Sequence, residues 1–183
     1  YNINMTDLFK IIFKNEDVIK IQNKIKEFNW SKISSSKTWE MGTNPDKLKE
    51  LCEYWTDEYD WFKDQDYLNS FNQYKSKVDD LKIHFVLEKS KGTKNYPLVL
   101  LHGWPGSVSE FHNIIPMLTK NSNNVSFDVI APSLPGFGFS GKPTKPIGPR
   151  KMAYYINNLL VEVLGYKNYF VQGGDWGSYI AAW

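Results

Sequence analysis

From the N-terminus to about residue 70, apolar positions recur at helical spacing in a polar background. Val18, Ile21, Ile25 and Phe28 form one stripe, with Asn15 placed to cap the helix that carries it. Asn44-Pro45 is a stronger start signal, a capping side chain followed by proline at the first helical position. Leu48, Leu51, Trp55, Tyr59 and Phe62 follow at three- and four-residue spacing, and Ser34-Ser35-Ser36 reads as the loop between the two helices. At Leu81 the period changes to two. Leu81, Ile83, Phe85 and Leu87 alternate with Lys82, His84, Val86 and Glu88, which predicts a half-buried strand with His84 on its polar face.

After a polar turn at residues 90–95, the unbroken apolar run Pro97–Leu101 predicts a strand buried on both faces of a parallel sheet. A helix carrying Phe111, Ile114, Ile115 and Leu118 follows, then a strand over Phe127–Ala131. A loop punctuated by Pro132, Pro135, Pro143 and Pro146 leads to a helix that opens at Pro149 and stops at Gly165. Tyr169–Val171 is the last strand, and a helix begins near Ser178. From residue 81 this alternation of strands and helices predicts an α/β doubly wound sheet. No internal repeat interrupts it.

Composition narrows the function classes. The formal charge is +2, and lysines alternate with acids through the first ninety residues, so no nucleic-acid footprint is expected. No run reaches the ~18–20 apolar residues that span a bilayer. The single cysteine, Cys52, allows no internal disulfide and reads as a small core residue. The three Asn-x-Ser/Thr triplets, at Asn4, Asn29 and Asn124, carry no weight in a chain this rich in asparagine and serine.

Three glycine-bearing loops are the candidate chemistry. Gly136-Phe137-Gly138-Phe139-Ser140-Gly141 has the form of a dinucleotide fingerprint and, with Lys142, nearly that of a P-loop. Both need a helix to start at the last glycine so that its free N–H groups can hold phosphate. Pro143 and Pro146 forbid that helix, so the segment reads as a tight loop at the edge of a sheet. Gly173-Gly174-Asp175-Trp176-Gly177-Ser178 follows a strand and has the small-x-nucleophile-x-small layout of the α/β-hydrolase nucleophile elbow, with aspartate in the nucleophile position. A carboxylate is ionised at neutral pH and attacks without a base, giving an alkyl ester on carbon that bears a leaving group. A helix cap is the simpler reading of Asp175. Glycines 173, 174 and 177 argue against it, because a cap does not need crowding relieved on both sides. His102-Gly103-Trp104-Pro105-Gly106-Ser107 follows a buried strand where this fold supplies one oxyanion donor, so the Trp104 and Trp176 backbone amides are the predicted pair. His84, His102 and His112 are the only histidines, and none is predicted to be a catalytic base. His102 is expected to fix loop geometry, and no metal-ligand spacing links these residues to Cys52.

Leu48-Lys49-Glu50-Leu51, Tyr54-Trp55, Tyr59-Asp60-Trp61, Leu68–Phe71, Ile83-His84-Phe85, the His102 and Asp175 turns and Leu134–Ser140 together resemble the microsomal-type epoxide hydrolases, which include the insect juvenile hormone epoxide hydrolases. Asn72 and Asp80 depart from that pattern outside the chemistry. The resemblance implies a helical epoxide-hydrolase N-terminal segment with the first strand over residues 1–95. Residues 96–183 would then be the first half of an α/β-hydrolase domain, ending after the elbow. It further implies that Asp175 opens an epoxide to a vicinal diol through an ester, with Trp104 and Trp176 as oxyanion donors. Two cap tyrosines, an acid and a histidine would lie downstream of this chain, leaving the isolated chain unable to complete turnover. The implied partners are a small apolar epoxide and water, without cofactor. The implied setting is detoxification at the endoplasmic reticulum membrane. A dehalogenase, which shares the aspartate–tryptophan elbow, and a non-catalytic ligand-binding protein stay open as alternatives. The N-terminal segment and the His102–Pro105 turn favour epoxide chemistry.

Overall fold

The computed structural model describes residues 6–33, 38–92, 94–120 and 125–183, with Thr6 described by its backbone alone. The Ser34–Ser36 loop, Thr93 of the polar turn and the triplets at Asn4 and Asn124 lie outside these residues. The chain divides into two compact units, Ile11–Tyr67 and a second that gathers Leu68–Trp183 with the N-terminal residues up to Lys10.

The first unit is helical. Helix α1 spans Asn15–Lys26, α2 Pro45–Asp57 and α3 Trp61–Leu68. Asn15 is the first helical residue rather than the cap; Lys14 holds that place with no side-chain bond to the helix. Asn44 caps α2 as expected, its Oδ1 accepting from the Asp46 and Lys47 amides at 2.9 and 3.2 Å, an arrangement worth about 1 kcal/mol. Gln22 on α1 donates to the Thr56 carbonyl of α2 at 3.0 Å, and Trp55 stacks on Trp61 with ring centroids 5.7 Å apart. Cys52 is a free thiol and only half-buried, because it faces the groove between α1 and α2 rather than a closed core.

The second unit is a six-stranded sheet: β1 Thr6–Leu8, β2 Gln73–Val78, β3 Leu81–Glu88, β4 Asn95–Leu101, β5 Ser126–Pro132 and β6 Phe170–Gly173. The spatial order is β1-β2-β3-β5-β4-β6. Only β5, β4 and β6 are parallel; β1, β2 and β3 run antiparallel to their neighbours, so the sheet is mixed. Strands β1 and β2 are absent from the sequence reading. In β2 the inward positions include Gln73 and Ser76, which are polar yet buried, so no apolar alternation marks the strand. The two-residue link to β3 is made by Asp79, at φ 53°, and Asp80.

Both faces are covered. On one, Ile83, Phe85, Val99, Leu101 and Ile130 pack against α5 (Pro149–Asn158; α4 is Ile115–Thr119) and Ile180. On the other, Val86, Leu100, Val129 and Ala131 meet Val108, Phe111 and Ile115. Each of the buried valine, leucine, isoleucine and phenylalanine side chains contributes roughly 1.5–3 kcal/mol. The single helix expected after β4 is split by Pro116 into a 3₁₀ turn, Val108–Phe111, and the short α4, Ile115–Thr119. Helix α5 opens at Pro149 as expected and runs through a π-helical turn, Leu159–Val163, to Gly165 at φ 76°. Among the described residues no helix is long and apolar enough to cross a membrane.

His84 overturns the half-buried reading of β3, since its side chain is 0% exposed. The Gly136–Gly141 loop covers this face of the strand. Ser140 Oγ accepts from the His84 amide at 2.9 Å and donates to the Ser133 carbonyl at 2.6 Å, and Phe139 and Phe9 pack edge-on to the imidazole. The ring is bonded at both nitrogens, Nδ1 to Ser133 Oγ and Nε2 to Gln73 Oε1, each at 2.9 Å. The amide of Gly136 closes the same loop on the Gly141 carbonyl at 2.9 Å, and no helix begins until Pro149, as the prolines of this segment predict.

Burial, aided by the charge of Lys75, pulls the His84 pKa from 6.5 to about 3. Between those values the unfolded chain binds a proton that the folded chain refuses, so stability is lost as pH falls through the window. From His84 alone the loss between pH 7 and pH 5 is on the order of 1 kcal/mol per pH unit. Urea midpoints are therefore expected to fall between pH 7 and pH 5, above the carboxylate range; a flat profile would contradict a neutral His84.

Candidate active site

The site is assembled where two parallel strands end together. Leu101, the last residue of β4, pairs with Gly173, the last of β6, so the segments that leave both strands lie side by side. The chain passes from β4 to β5 on one side of the sheet and then to β6 on the other. Open α/β sheets bind ligands at such a reversal.

After β6 the chain turns through Gly174 and Asp175 into α6, Trp176–Ala181. Asp175 sits at φ 50°, ψ −126°, a region that side chains avoid and that costs of order 1–3 kcal/mol. Two glycines make the turn passable. A Cβ on Gly177 would lie 2.7 Å from the Leu101 carbonyl carbon, and one on Gly173 would run into the Gly177 carbonyl. Gly174 is different, with nothing within 4 Å of an added Cβ, so only two of the three expected glycines relieve crowding. Ser178 donates both its amide, at 3.0 Å, and its hydroxyl, at 2.6 Å, to the Asp175 carbonyl and closes the turn.

The loop after β4 reaches the same point. The Trp104–Pro105 peptide is cis, and the Trp104 amide donates to Asp175 Oδ1 at 2.8 Å. Gly103 admits this approach, since a Cβ there would stand 2.5 Å from that of Asp175. The Trp104 amide first, and the Trp176 amide second, hold the Asp175 carboxyl below its ordinary pKa of 3.8, against a small opposing effect of burial. The two amides and the carboxylate predicted from sequence are thus brought together. Asp175 itself is exposed, flanked by the exposed side chains of Trp104, Trp176 and Tyr179. An ionised, accessible carboxylate on a strained turn, with the Trp104 N–H bonded to one oxygen and the Trp176 N–H beside it in the chain, can attack an electrophilic carbon.

No histidine joins it. His84, His102 and His112 are all buried, and burial lowers the pKa of each. His112 stacks on Phe71 at 4.8 Å. His102 holds loops together, as expected: its Nδ1 lies 3.0 Å from the Gly103 carbonyl oxygen, and its Nε2 accepts from the Leu134 amide at 3.0 Å. The Leu134 contact has no sequence signal, because it joins the ends of β4 and β5 through a backbone amide.

Residues 6–111 match the family described as epoxide hydrolase N terminus, and residues 96–183 match the alpha/beta hydrolase fold. Juvenile hormone epoxide hydrolase 1 of Ctenocephalides felis is 39% identical over 94% of this chain and 38% of its own length. Epoxide hydrolase 1 of Sus scrofa is 36% identical over 94% of this chain and 40% of its own. The crystal structure of juvenile hormone epoxide hydrolase from the silkworm Bombyx mori superposes with a TM-score of 0.89 at 38% identity, covering 97% of this chain and 48% of that one. The chain spans about two fifths of the length of the curated relatives it matches. With its N-terminal segment, its mixed sheet and both glycine turns accounted for in these matches, the chain belongs to the epoxide hydrolase family and has the α/β-hydrolase fold.

Proposed function

We propose that this chain supplies the attacking half of an epoxide hydrolase, with Asp175 as the nucleophile. The observation that carries the reading is the 2.8 Å bond from the Trp104 amide to Asp175 Oδ1, which aims one predicted oxyanion donor at the predicted nucleophile. A carboxylate oxygen of Asp175 attacks a ring carbon of an apolar epoxide. The ring C–O bond breaks, and the released alkoxide takes a proton from water, leaving a hydroxyalkyl ester. Water then adds to the ester carbonyl, and the oxyanion is held by the Trp104 and Trp176 amides until the diol leaves and the carboxylate is restored. The match of residues 6–111 to the epoxide hydrolase N terminus favours an epoxide over a halide as the electrophile.

None of the three histidines is placed to activate water at Asp175: His84 and His102 are buried and bonded at both ring nitrogens, and His112 is buried against Phe71. Residues 1–183 incubated with styrene oxide are therefore expected to accumulate up to one equivalent of ester per chain and to release less than one equivalent of diol. Sustained diol release would contradict that reading of the histidines, and a protein that never carries an ester would contradict the nucleophile.

A further inference from the structure

We propose that His102 is a positioning residue for the Trp104 amide. It holds the Gly103–Trp104 peptide from its carbonyl side so that the N–H on the other side faces Asp175. This rests on the ester mechanism proposed above.

Two hydrogen bonds on one ring carry the inference. The Leu134 backbone N–H can only donate, so Nε2, 3.0 Å away, must be the unprotonated nitrogen. The proton of the neutral ring is then on Nδ1, which donates to the Gly103 carbonyl oxygen at 3.0 Å. That carbonyl and the Trp104 N–H belong to one planar peptide, so a donor on the first restrains and polarises the second. The resulting line runs from the Leu134 N–H through the imidazole and the Gly103–Trp104 peptide to Asp175 Oδ1. The ring is held in place by burial and by Phe137, edge-on at 5.7 Å. A histidine that only filled space would need neither bond. This one ties the end of β5 to the donor beside the nucleophile.

The test uses the two amide side chains that copy one ring nitrogen each. Asparagine places an N–H where Nδ1 was, and glutamine places an acceptor where Nε2 was. In His102→Gln the Asp175 carboxyl, followed by NMR, is expected to titrate about 0.3–1 pH unit higher than in the wild type. The Trp104 amide resonance is expected to move with it, and His102→Asn to stay close to the wild type in both. Equal titration in all three proteins would overturn the role. The wild type alone gives a second reading that needs no variant to fold. Nitrogen shifts showing a neutral ring with its proton on Nδ1 support the role, and a proton on Nε2 overturns it. Treating the same samples with styrene oxide separates the two claims. A protein with the Nδ1 proton and the glutamine shift but no ester at Asp175 would refute the proposed function and leave the positioning role standing.

Discussion

Exchanging Asp175 for asparagine is expected to abolish covalent capture of an epoxide, a loss of about 10⁴-fold or more. The amide keeps the size of the side chain and an oxygen to accept from Trp104, but it lacks the charge that makes the carboxylate a nucleophile. Labelled styrene oxide retained on acid-quenched protein measures the effect, and label retained at the wild-type level in Asp175→Asn would refute the assignment. Stability gives an independent check. Asp175 occupies φ 50°, ψ −126°, where glycine meets no Cβ penalty. Asp175→Gly is therefore expected to lose capture without lowering the urea midpoint. A residue whose role was to cap α6 would behave in the opposite way, losing stability when removed.

The second large effect is expected at Gly177. An alanine there places Cβ 2.7 Å from the Leu101 carbonyl carbon, and the clash is with backbone that cannot rotate away. Helix α6 must lift off β4, at a cost of about 1–3 kcal/mol, and the lift carries Asp175 away from the Trp104 amide. Both the urea midpoint and the rate of epoxide capture should fall. Gly174→Ala is the matched control, because nothing lies within 4 Å of its added Cβ; it is expected to stay within about 0.5 kcal/mol of the wild type. Equal tolerance at the two positions would mean that close packing of α6 on β4 does not hold the elbow.

The elbow was legible in the sequence because its constraints are local. A strand, glycines on either side of an aspartate and a following helix lie within a dozen residues, and each leaves a mark in residue type. Strand β4 and helix α5 were legible for the same reason, through an unbroken apolar run and a proline-to-glycine frame. Strand β2 was not. Its residues Gln73 and Ser76 are polar yet buried, and Gln73 is bonded to His84 of the neighbouring strand, a pairing that only the fold shows. His84 was misread on the same ground, since alternation along β3 shows which side a residue faces but not what covers that side. The antiparallel half of the sheet also left no mark, because strand direction is decided by pairing rather than by residue pattern. At the site, residue types pointed to Asp175, Trp104 and Trp176 as candidates, and the fold places the Trp104 amide against Asp175. The line from Leu134 through His102 depends on a backbone amide and became visible only with the fold.

The central claim is that the Asp175 carboxylate forms the covalent bond to the epoxide. Peptide-level mass spectrometry after a short exposure to styrene oxide and an acid quench tests it most directly. The expected result is one added epoxide mass on the peptide that contains Asp175, fragmenting to that residue and removed by mild base as an ester would be. Modification confined to another residue, Cys52 included, or protein left unmodified while styrene oxide is converted to diol, would contradict it.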